Sequence, residues 1–336
     1  MKVYTQLLLT FLCFPVTFYA QESRSVFDLL AANEVLEIEL TTDLQLLRDQ
    51  KNTNEYQPAT LSYAVGKKQT ESWEIKIRSR GKFRRRVCVF PPLKLNFPKG
   101  QLKEKGLSGE EDELKLITHC VEGDPGKDYL MREFLIYKLF EKLSPVFIRV
   151  HLAKVKYIDP VTGEKINAWG ILVDDEKALE RRYQADLCED CFSLPKENFK
   201  KDQLCLVFLF EYLISNTDWS VSMVRNLYLL RPKDGSGALL IPYDFDFSGF
   251  VNASYARPNS DFKQTKIRER LFLGTELSDE EIKPAIELFR SKRKELETVI
   301  REFRYLSGES KIDLLDFLDG FYLSMGQGIK RPSQSE

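Results

Sequence analysis

Residues 214–249 read ISNTDWSVSMVRNLYLLRPKDGSGALLIPYDFDFSG, and this segment carries the clearest folding pattern in the chain. Two apolar runs, 226–230 and 238–243, flank the turn-forming residues RPKDGSG, which is typical of a β-hairpin. The apolar stretch 201–215 before it has the length and composition of a buried helix. We therefore predict a helix, a polar loop and a hairpin, in that order.

Polar groups collect at the open end of this hairpin. A turn centred near Gly235 places Asn226 opposite Asp244, and Asp246 lies on the same face as Asp244 because it is two residues further along. Asp218 lies on the loop that precedes the hairpin. Carboxylate and amide oxygens in this arrangement suit Mg²⁺ or Mn²⁺. The alternative is structural, with the aspartates stabilising turns or capping the next element.

A second concentration of charge lies at residues 76–86, KIRSRGKFRRR, where seven of eleven residues are basic. A glycine-containing basic turn can bring backbone N–H groups and guanidinium forks onto phosphate oxygens. This pattern makes Arg78, Arg80 and Gly81 candidate phosphate-binding residues. An RNA- or polyanion-binding patch is the competing interpretation, although few aromatic residues are interleaved with the basic ones.

Lys94 and Glu133 are two further candidate site residues. Lys94 lies in PPLKLNF, where it points away from its two leucine neighbours, and Glu133 on the following helix is placed to pair with it. Both are alternatively ordinary surface charges. Together with the hairpin groups, these residues are the components that phosphoryl transfer requires: basic groups for the phosphates, an aspartate for the acceptor hydroxyl, and oxygen ligands for a metal.

Three segments resemble the CotH kinase family, the atypical protein kinases named for a spore-coat protein. They are WEIKIRSRGKFRRRVCVFPPLKLNF (73–97), YLMREFLIYKLF (129–140), and NTDWS with the later RN and PYDFDFSG (216–249). The resemblance implies ATP and Mg²⁺ or Mn²⁺ as cofactors. It implies one role for each of the following residues: Lys94 on the nucleotide phosphates, Glu133 as its partner, Asp218 as catalytic base, Asn226 and Asp244 as metal ligands, and Asp246 as an alternative ligand.

The remaining segments give the fold prediction. Residues 25–100 read mostly as strands, a helix is predicted at 129–143, two more strands at 147–158 and 167–175, and helices dominate thereafter. With the resemblance, we predict an α+β, bilobal, protein-kinase-like fold, in which a β-rich N-lobe has one main helix and a mostly helical C-lobe carries a catalytic β-hairpin. The expected divisions are 1–20 signal peptide, 21–175 N-lobe, 176–325 C-lobe and 326–336 polar tail.

Composition sets the limits on function. The 336 residues contain 50 Lys+Arg and 51 Asp+Glu, which excludes a bulk attraction to nucleic acid, and only two histidines. Residues 1–20 have the layout of a secretory signal peptide, so we expect an exported protein without a transmembrane anchor after processing. Removing that segment, with Cys13, leaves five cysteines, so at least one thiol stays unpaired. Cys188 and Cys191 form one CxxC pair, and the alternatives favoured over zinc are a local disulfide, between these two or with Cys205, and buried thiols.

The expected activity is metal-dependent transfer of the ATP γ-phosphoryl group to a hydroxyl of an exported protein. The expected partners are therefore a nucleotide and a protein substrate, and not nucleic acid. The alternative is a catalytically inactive, kinase-like binding or adhesion module outside the cytoplasm. A metal-dependent phosphodiesterase ranks below both, because it needs more metal ligands than two histidines supply.

Overall fold

The computed structural model describes residues 24–66, 69–88 and 90–332. The predicted signal peptide, Cys13 and the last residues of the predicted polar tail lie outside these ranges. Among the described residues, none of the helices combines the length and apolarity needed to cross a bilayer. The described strands of the larger sheet are β1 (Leu36–Thr41), β2 (Gln57–Val65), β3 (Gln69–Ser79), β4 (Leu93–Asn96), β5 (Glu113–Thr118), β6 (Val150–Ile158) and β7 (Lys165–Val173).

A second sheet and the helices make up the rest of the described structure. The second sheet contains β8 (Ala185–Leu187), β9 (Leu227–Pro232) and β10 (Leu239–Pro242). The α-helices are α1 (Val26–Leu30), α2 (Leu44–Asp49), α3 (Arg84–Val87), α4 (Lys99–Glu104), α5 (Gly123–Leu143), α6 (Glu176–Tyr183), α7 (Lys201–Ile214), α8 (Asp279–Glu302) and α9 (Gly308–Gln327).

The first seven strands close into a barrel in the order β1-β2-β3-β4-β5-β7-β6. Neighbouring strands are antiparallel, except that β1 runs parallel to β6, with Leu36 opposite Ala153 and Leu40 opposite Tyr157. Alternation explains the interior, because apolar residues at every second position of β1 face inward and are buried.

The C-terminal parts of β5 and β7 are buried on both faces. Leu116 and Leu172 fill the barrel, while Ile117 and Ile171 lie on the outer face and belong to the core formed with α5 and α7. Helix α7 is buried along almost its entire length, from Gln203 onward. The barrel and the helical part therefore share two strands.

The predicted fold class is wrong. In place of a bilobal α+β kinase-like fold with a mostly helical C-lobe, the described residues form a closed, mixed seven-stranded barrel, a separate three-stranded sheet and flanking helices. The pairing that closes the barrel joins residues 117 positions apart, such as Glu37 and Lys154. Local alternation predicts strands but cannot reveal such a distant parallel partner.

The predicted hairpin is confirmed, with Leu230 opposite Leu239 and Leu227 opposite Pro242. Strand β8 adds to its outer edge through β9. Helix α5 begins at Gly123 rather than at residue 129, because the predicted turn VEGDPG supplies its cap and first turn. The disulfides of the described residues join Cys88 to Cys120 and Cys188 to Cys191, while Cys205 is a buried free thiol.

Candidate active site

A cavity of about 490 Å³ lies between the segment that follows β3 and the open end of the β9–β10 hairpin. The basic segment contributes one wall, and the hairpin end together with the loop after α7 contributes the other. The lining residues are Arg80, Gly81, Lys82, Phe83, Arg84, Pro92, Asp218, Met223, Val224, Arg225, Asn226, Tyr243, Asp244, Asp246 and Phe247. Six of the nine residues predicted for the site therefore line one cavity: Arg80, Gly81, Asp218, Asn226, Asp244 and Asp246.

The basic wall turns sharply after β3. Arg80 closes this turn by donating its backbone N–H to the carbonyl of Pro92, at 2.8 Å. Gly81 has φ of +81°, in the left-handed region that favours glycine. The short helix α3 follows, and the Cys88–Cys120 disulfide ties its end to the residues after β5. The chain therefore fixes a glycine turn at the rim of the cavity.

Asp218 is held by two amide side chains. Its backbone N–H donates to Oδ1 of Asn216 at 3.0 Å, and Nδ2 of Asn226 donates to its carbonyl at 2.5 Å and to its Oδ2 at 3.2 Å. The side chain remains 42% exposed. Burial raises the pKa of Asp218, and the carboxylates of Asp244 and Asp246 raise it further against the opposing effect of Arg225. A carboxylate with a raised pKa and an open face is suited to accept a proton.

The hairpin register is one residue from the prediction, because Tyr243, and not Asp244, lies opposite Asn226 and donates its backbone N–H to the carbonyl of Asn226 at 3.0 Å. Asn226 and Asp244 still line the same cavity at this end of the hairpin. Both have left-handed backbone conformations, with φ of 55° and 64°. The backbone N–H of Asp244 donates to the hydroxyl of Tyr137 on α5, at 3.2 Å. Asp244 is 39% exposed, so its carboxylate is accessible from the cavity.

Arg84 is the centre of the buried part of the site, and the sequence interpretation missed it. Its Nη2 lies 2.9 Å from Oε2 of Glu133 and 3.4 Å from Oδ1 of Asp244, and its Nε donates to Oδ2 of Asp246 at 2.9 Å. The side chains of Arg84, Glu133 and Asp246 are 7%, 3% and 6% exposed. The predicted pairing of Glu133 with Lys94 is therefore wrong, because Arg84 occupies the carboxylate of Glu133.

Three carboxylates share one guanidinium in this cluster. Burial opposes the charged form of Arg84, but Asp246, Glu133 and Asp244 outweigh that effect and hold its pKa well above the usual value. Burial raises the pKa of Glu133 to about 7 despite the nearby Arg84, and burial also raises the pKa of Asp246. Fully ionised, the four groups carry a surplus of negative charge, which a bound cation would offset.

Lys94 lies outside the cavity lining, where it pairs with Glu113. The adjacent strand places Lys115 directly opposite Lys94, and sequence analysis missed this second lysine. Lys115 contacts Glu176 and the hydroxyl of Tyr228, and its Nζ lies 5.8 Å from the ring centre of cavity-lining Tyr243. Burial lowers the pKa of Lys115 to about 8. Arg78 likewise lies outside the cavity lining.

The donor set fits a hard divalent cation. Asn226 and Asp244 offer an amide oxygen and a half-exposed carboxylate, while Asp246 is already engaged by Arg84. Among the described residues, the three aspartates do not form a three-carboxylate cage; the only such His/Cys/Asp/Glu group there is Cys188, Asp190 and Cys191, whose cysteines are disulfide-bonded. Mg²⁺ usually takes one or two protein carboxylates and completes its shell with water and substrate phosphates.

Comparison with known proteins adds one finding. No protein-family model and no curated protein matches the chain. The crystal structure of a Helicobacter pylori proinflammatory kinase, CtkA, aligns with 74% of this chain and 91% of its own length, at 12% sequence identity and a TM-score of 0.41. A similarity of this size establishes neither the family nor the activity, so the function has to be inferred from the chemistry of the site.

Proposed function

We propose that the protein is a metal-dependent phosphotransferase that moves the γ-phosphoryl group of ATP to a hydroxyl of an exported protein, as CotH-like kinases do. One observation carries the proposal: Asp218, Asn226 and Asp244 line the same cavity as the glycine turn of Arg80 and Gly81. Basic groups on one wall and oxygen ligands on the other are what a nucleotide–metal complex requires. The order of the three CotH-like segments supports the kinase assignment over other phosphate chemistry.

In this proposal the basic wall binds the nucleotide. The backbone N–H of Gly81, in its left-handed turn on the cavity wall, would donate to a phosphate oxygen, and the Arg80 guanidinium would add charge-assisted hydrogen bonds. Lys94 remains proposed as a phosphate ligand, for which it would have to exchange its contact with Glu113. Arg84 orients the carboxylates on the other wall, because it contacts the buried Glu133 and Asp246 and also Asp244.

Asp218 is the proposed catalytic base. The acceptor oxygen forms a bond to the γ-phosphorus as the bond from that phosphorus to the ADP oxygen breaks, and the hydroxyl proton passes to the Asp218 carboxylate. Asn226 positions Asp218 through its two hydrogen bonds. A bound Mg²⁺ or Mn²⁺, with Asn226 and Asp244 as ligands and Asp246 as the alternative ligand, would neutralise charge on the phosphates.

Transfer of ³²P from labelled ATP to protein tests this proposal. We expect label in the wild-type protein or an added acceptor with Mg²⁺ or Mn²⁺, and none with EDTA. Asp218→Ala and Asp244→Ala should lower incorporation by at least about 100-fold. The matched control is Asp234→Ala, which changes an exposed aspartate in the turn of the same hairpin. Equal labelling of all four proteins would exclude the assignment.

A non-catalytic module that binds nucleotide is the second candidate. The observation that favours it is that two of the proposed site residues already have ion-pair partners within the protein. Asp246 pairs with Arg84, and Lys94 pairs with Glu113. A rise in melting temperature with ATP and Mg²⁺, without any transfer to protein, would identify this function. In either case we propose an exported location, which the signal-like residues 1–20 support.

A further inference from the structure

Three arginines beside the cavity have no acidic partner. Arg78, Arg85 and Arg86, which we call the basic rim, form no ion pair within the parts of the chain that the structure describes. Their hydrogen-bond acceptors are backbone carbonyls and one amide oxygen. Elsewhere on the barrel, by contrast, Lys154 is paired with Glu37 and Lys156 with Glu39. The positive charge of the rim is therefore uncompensated.

The rim is held in place by neutral groups. Arg85 donates from Nη1 to the carbonyl of Thr53 at 2.9 Å and from Nη2 to Oδ1 of Asn54 at 2.7 Å. Arg78 reaches the same Asn54 oxygen at 3.5 Å and covers the ring of Tyr56, 5.2 Å from its centre. These contacts fix the direction of the side chains and leave their charge unneutralised, so the ordering cost of a later anion contact is reduced.

The arginines also repel one another. Burial lowers the pKa of Arg85, and the charges of Arg78 and Arg80 lower it further. Such a cluster costs stability, and an anion bound between the guanidiniums would offset that cost.

The position of the rim separates it from the nucleotide. Arg80 and Lys82 line the cavity. The three rim arginines belong to the same chain segment but are not among the lining residues. Arg86 is exposed, and within the described part of the chain its guanidinium donates to the carbonyl of Lys82 alone, at 3.3 Å. An anion at the rim would therefore belong to a ligand that extends out of the cavity beyond the phosphates held inside.

We propose that the basic rim binds acidic side chains of the acceptor protein, close to the hydroxyl that is phosphorylated. This inference rests on the proposed function, whose substrate class it narrows to hydroxyls flanked by Asp or Glu. Carboxylates accept charge-assisted hydrogen bonds from guanidinium groups. Nucleic acid is disfavoured, because the formal net charge of −1 gives the chain no bulk attraction to it.

Binding is tested without catalysis, by fluorescence anisotropy of a labelled deca-glutamate peptide. The triple variant Arg78→Gln, Arg85→Gln, Arg86→Gln should bind at least tenfold more weakly than wild type. The control changes three exposed arginines elsewhere on the surface that form no ion pair in the described structure, as Arg231→Gln, Arg257→Gln, Arg290→Gln, and should bind as wild type does. If the triple variant proves unstable in a thermal melt, the single exposed change Arg86→Glu should still weaken binding about threefold.

Transfer is measured separately, with dephosphorylated casein as the acidic acceptor and myelin basic protein as the basic one. We expect casein to be labelled with the higher kcat/KM, and the rim variant to raise KM for casein about tenfold while KM for ATP is unchanged. Peptide binding without transfer to any protein would remove the proposed kinase and retain the rim as an acidic-peptide site. Equal binding by both triple variants, a preference for myelin basic protein, or tighter rim-dependent binding of heparin than of the peptide would overturn the inference.

Discussion

Arg84 is the residue on which the buried half of the site depends. It is the cation between Glu133 and Asp246, and it also contacts Asp244. Arg84→Met would leave buried carboxylates without a partner, so we expect the free energy of unfolding to fall by about 3–5 kcal/mol at neutral pH. The loss should shrink near pH 5, because Glu133, whose pKa burial raises to about 7, is then protonated. Urea denaturation at both pH values measures it.

Two further variants test the cause of the stability loss expected for Arg84→Met. Adding Glu133→Gln to Arg84→Met removes one of the stranded charges, and the double variant should recover part of the lost stability. Arg290→Met changes an exposed arginine and should shift the free energy of unfolding by less than about 0.5 kcal/mol. A cost at Arg84 no larger than at Arg290 would mean that the cluster does not hold the fold together.

Glu211 is a buried acid behind the Asp218 loop. Its Oε2 accepts from Nδ2 of Asn216 at 2.9 Å, and its buried Oε1 has no partner in the described structure. Burial raises its pKa to about 8, so the folded state keeps a proton that the unfolded state releases above pH 4.5. Stability should therefore fall as pH rises from 4.5 to 8, by at most about 3 kcal/mol between pH 5.5 and 8 from this group.

Glu211→Gln removes that titration and retains an oxygen for Asn216. Urea denaturation at pH 5.5 and 8 should show a smaller loss of stability with pH in this variant than in wild type. Glu287→Gln, at an exposed position on α8, is the matched control and should keep the wild-type dependence. An unchanged slope in the Glu211 variant would show that the carboxyl is ionised in the folded protein.

The sequence predicted the open part of the site and missed its interior, for a physical reason. Asn226 and Asp244 lie at the same end of a hairpin that local sequence predicts, although the register places Tyr243 rather than Asp244 opposite Asn226. Arg84 meets Asp246 across 162 positions, and within a run of seven basic residues nothing distinguishes it from its neighbours. The sequence also gives no sign of the environment of Lys115, because its contacts, Glu176 and Tyr228, come from α6 and the hairpin.

At the scale of elements, the two disulfides close loops of very different length. Cys88–Cys120 spans 32 positions and joins the end of α3 to the chain after β5, whereas Cys188–Cys191 spans three. Loop-closure entropy predicts a stabilisation of about 4 kcal/mol for the first and about 1.5 kcal/mol for the second. The variant Cys88→Ala, Cys120→Ala should therefore lose more stability than Cys188→Ala, Cys191→Ala. Urea unfolding under oxidising conditions compares them, and the reverse order would contradict this account.

Local patterns located most strands but not every helix boundary. The alternating runs of β1, β2 and β3 were predicted from sequence, because one buried face leaves a two-residue period. Helix α5 begins six residues earlier than predicted, since Gly123 and Pro125 read as turn residues but occupy its first turn. Residues 307–325, most of α9 and its cap, were given no structure from sequence, although Ser307 caps this helix.

At the scale of the whole molecule, closure of the barrel was beyond sequence reasoning. The parallel contact of β1 with β6 requires a connection that runs through four other strands, and no local residue pattern encodes that partner. Closure has a consequence for cooperativity. Because β5 and β7 have one face in the barrel core and one in the helical core, loosening either core disturbs the other.

Tryptophans provide a probe of each core. Trp73 is buried in the barrel and Trp219 in the helical core, while Trp169 is only partly buried. Variants that keep one buried tryptophan, with the other two changed to Phe, report each core by fluorescence. Adding Leu40→Ala, which removes a fully buried barrel side chain, should cost about 2–5 kcal/mol and lower the urea midpoint of both variants equally. A midpoint that falls for Trp73 but stays fixed for Trp219 would show that the barrel and the helical part unfold independently.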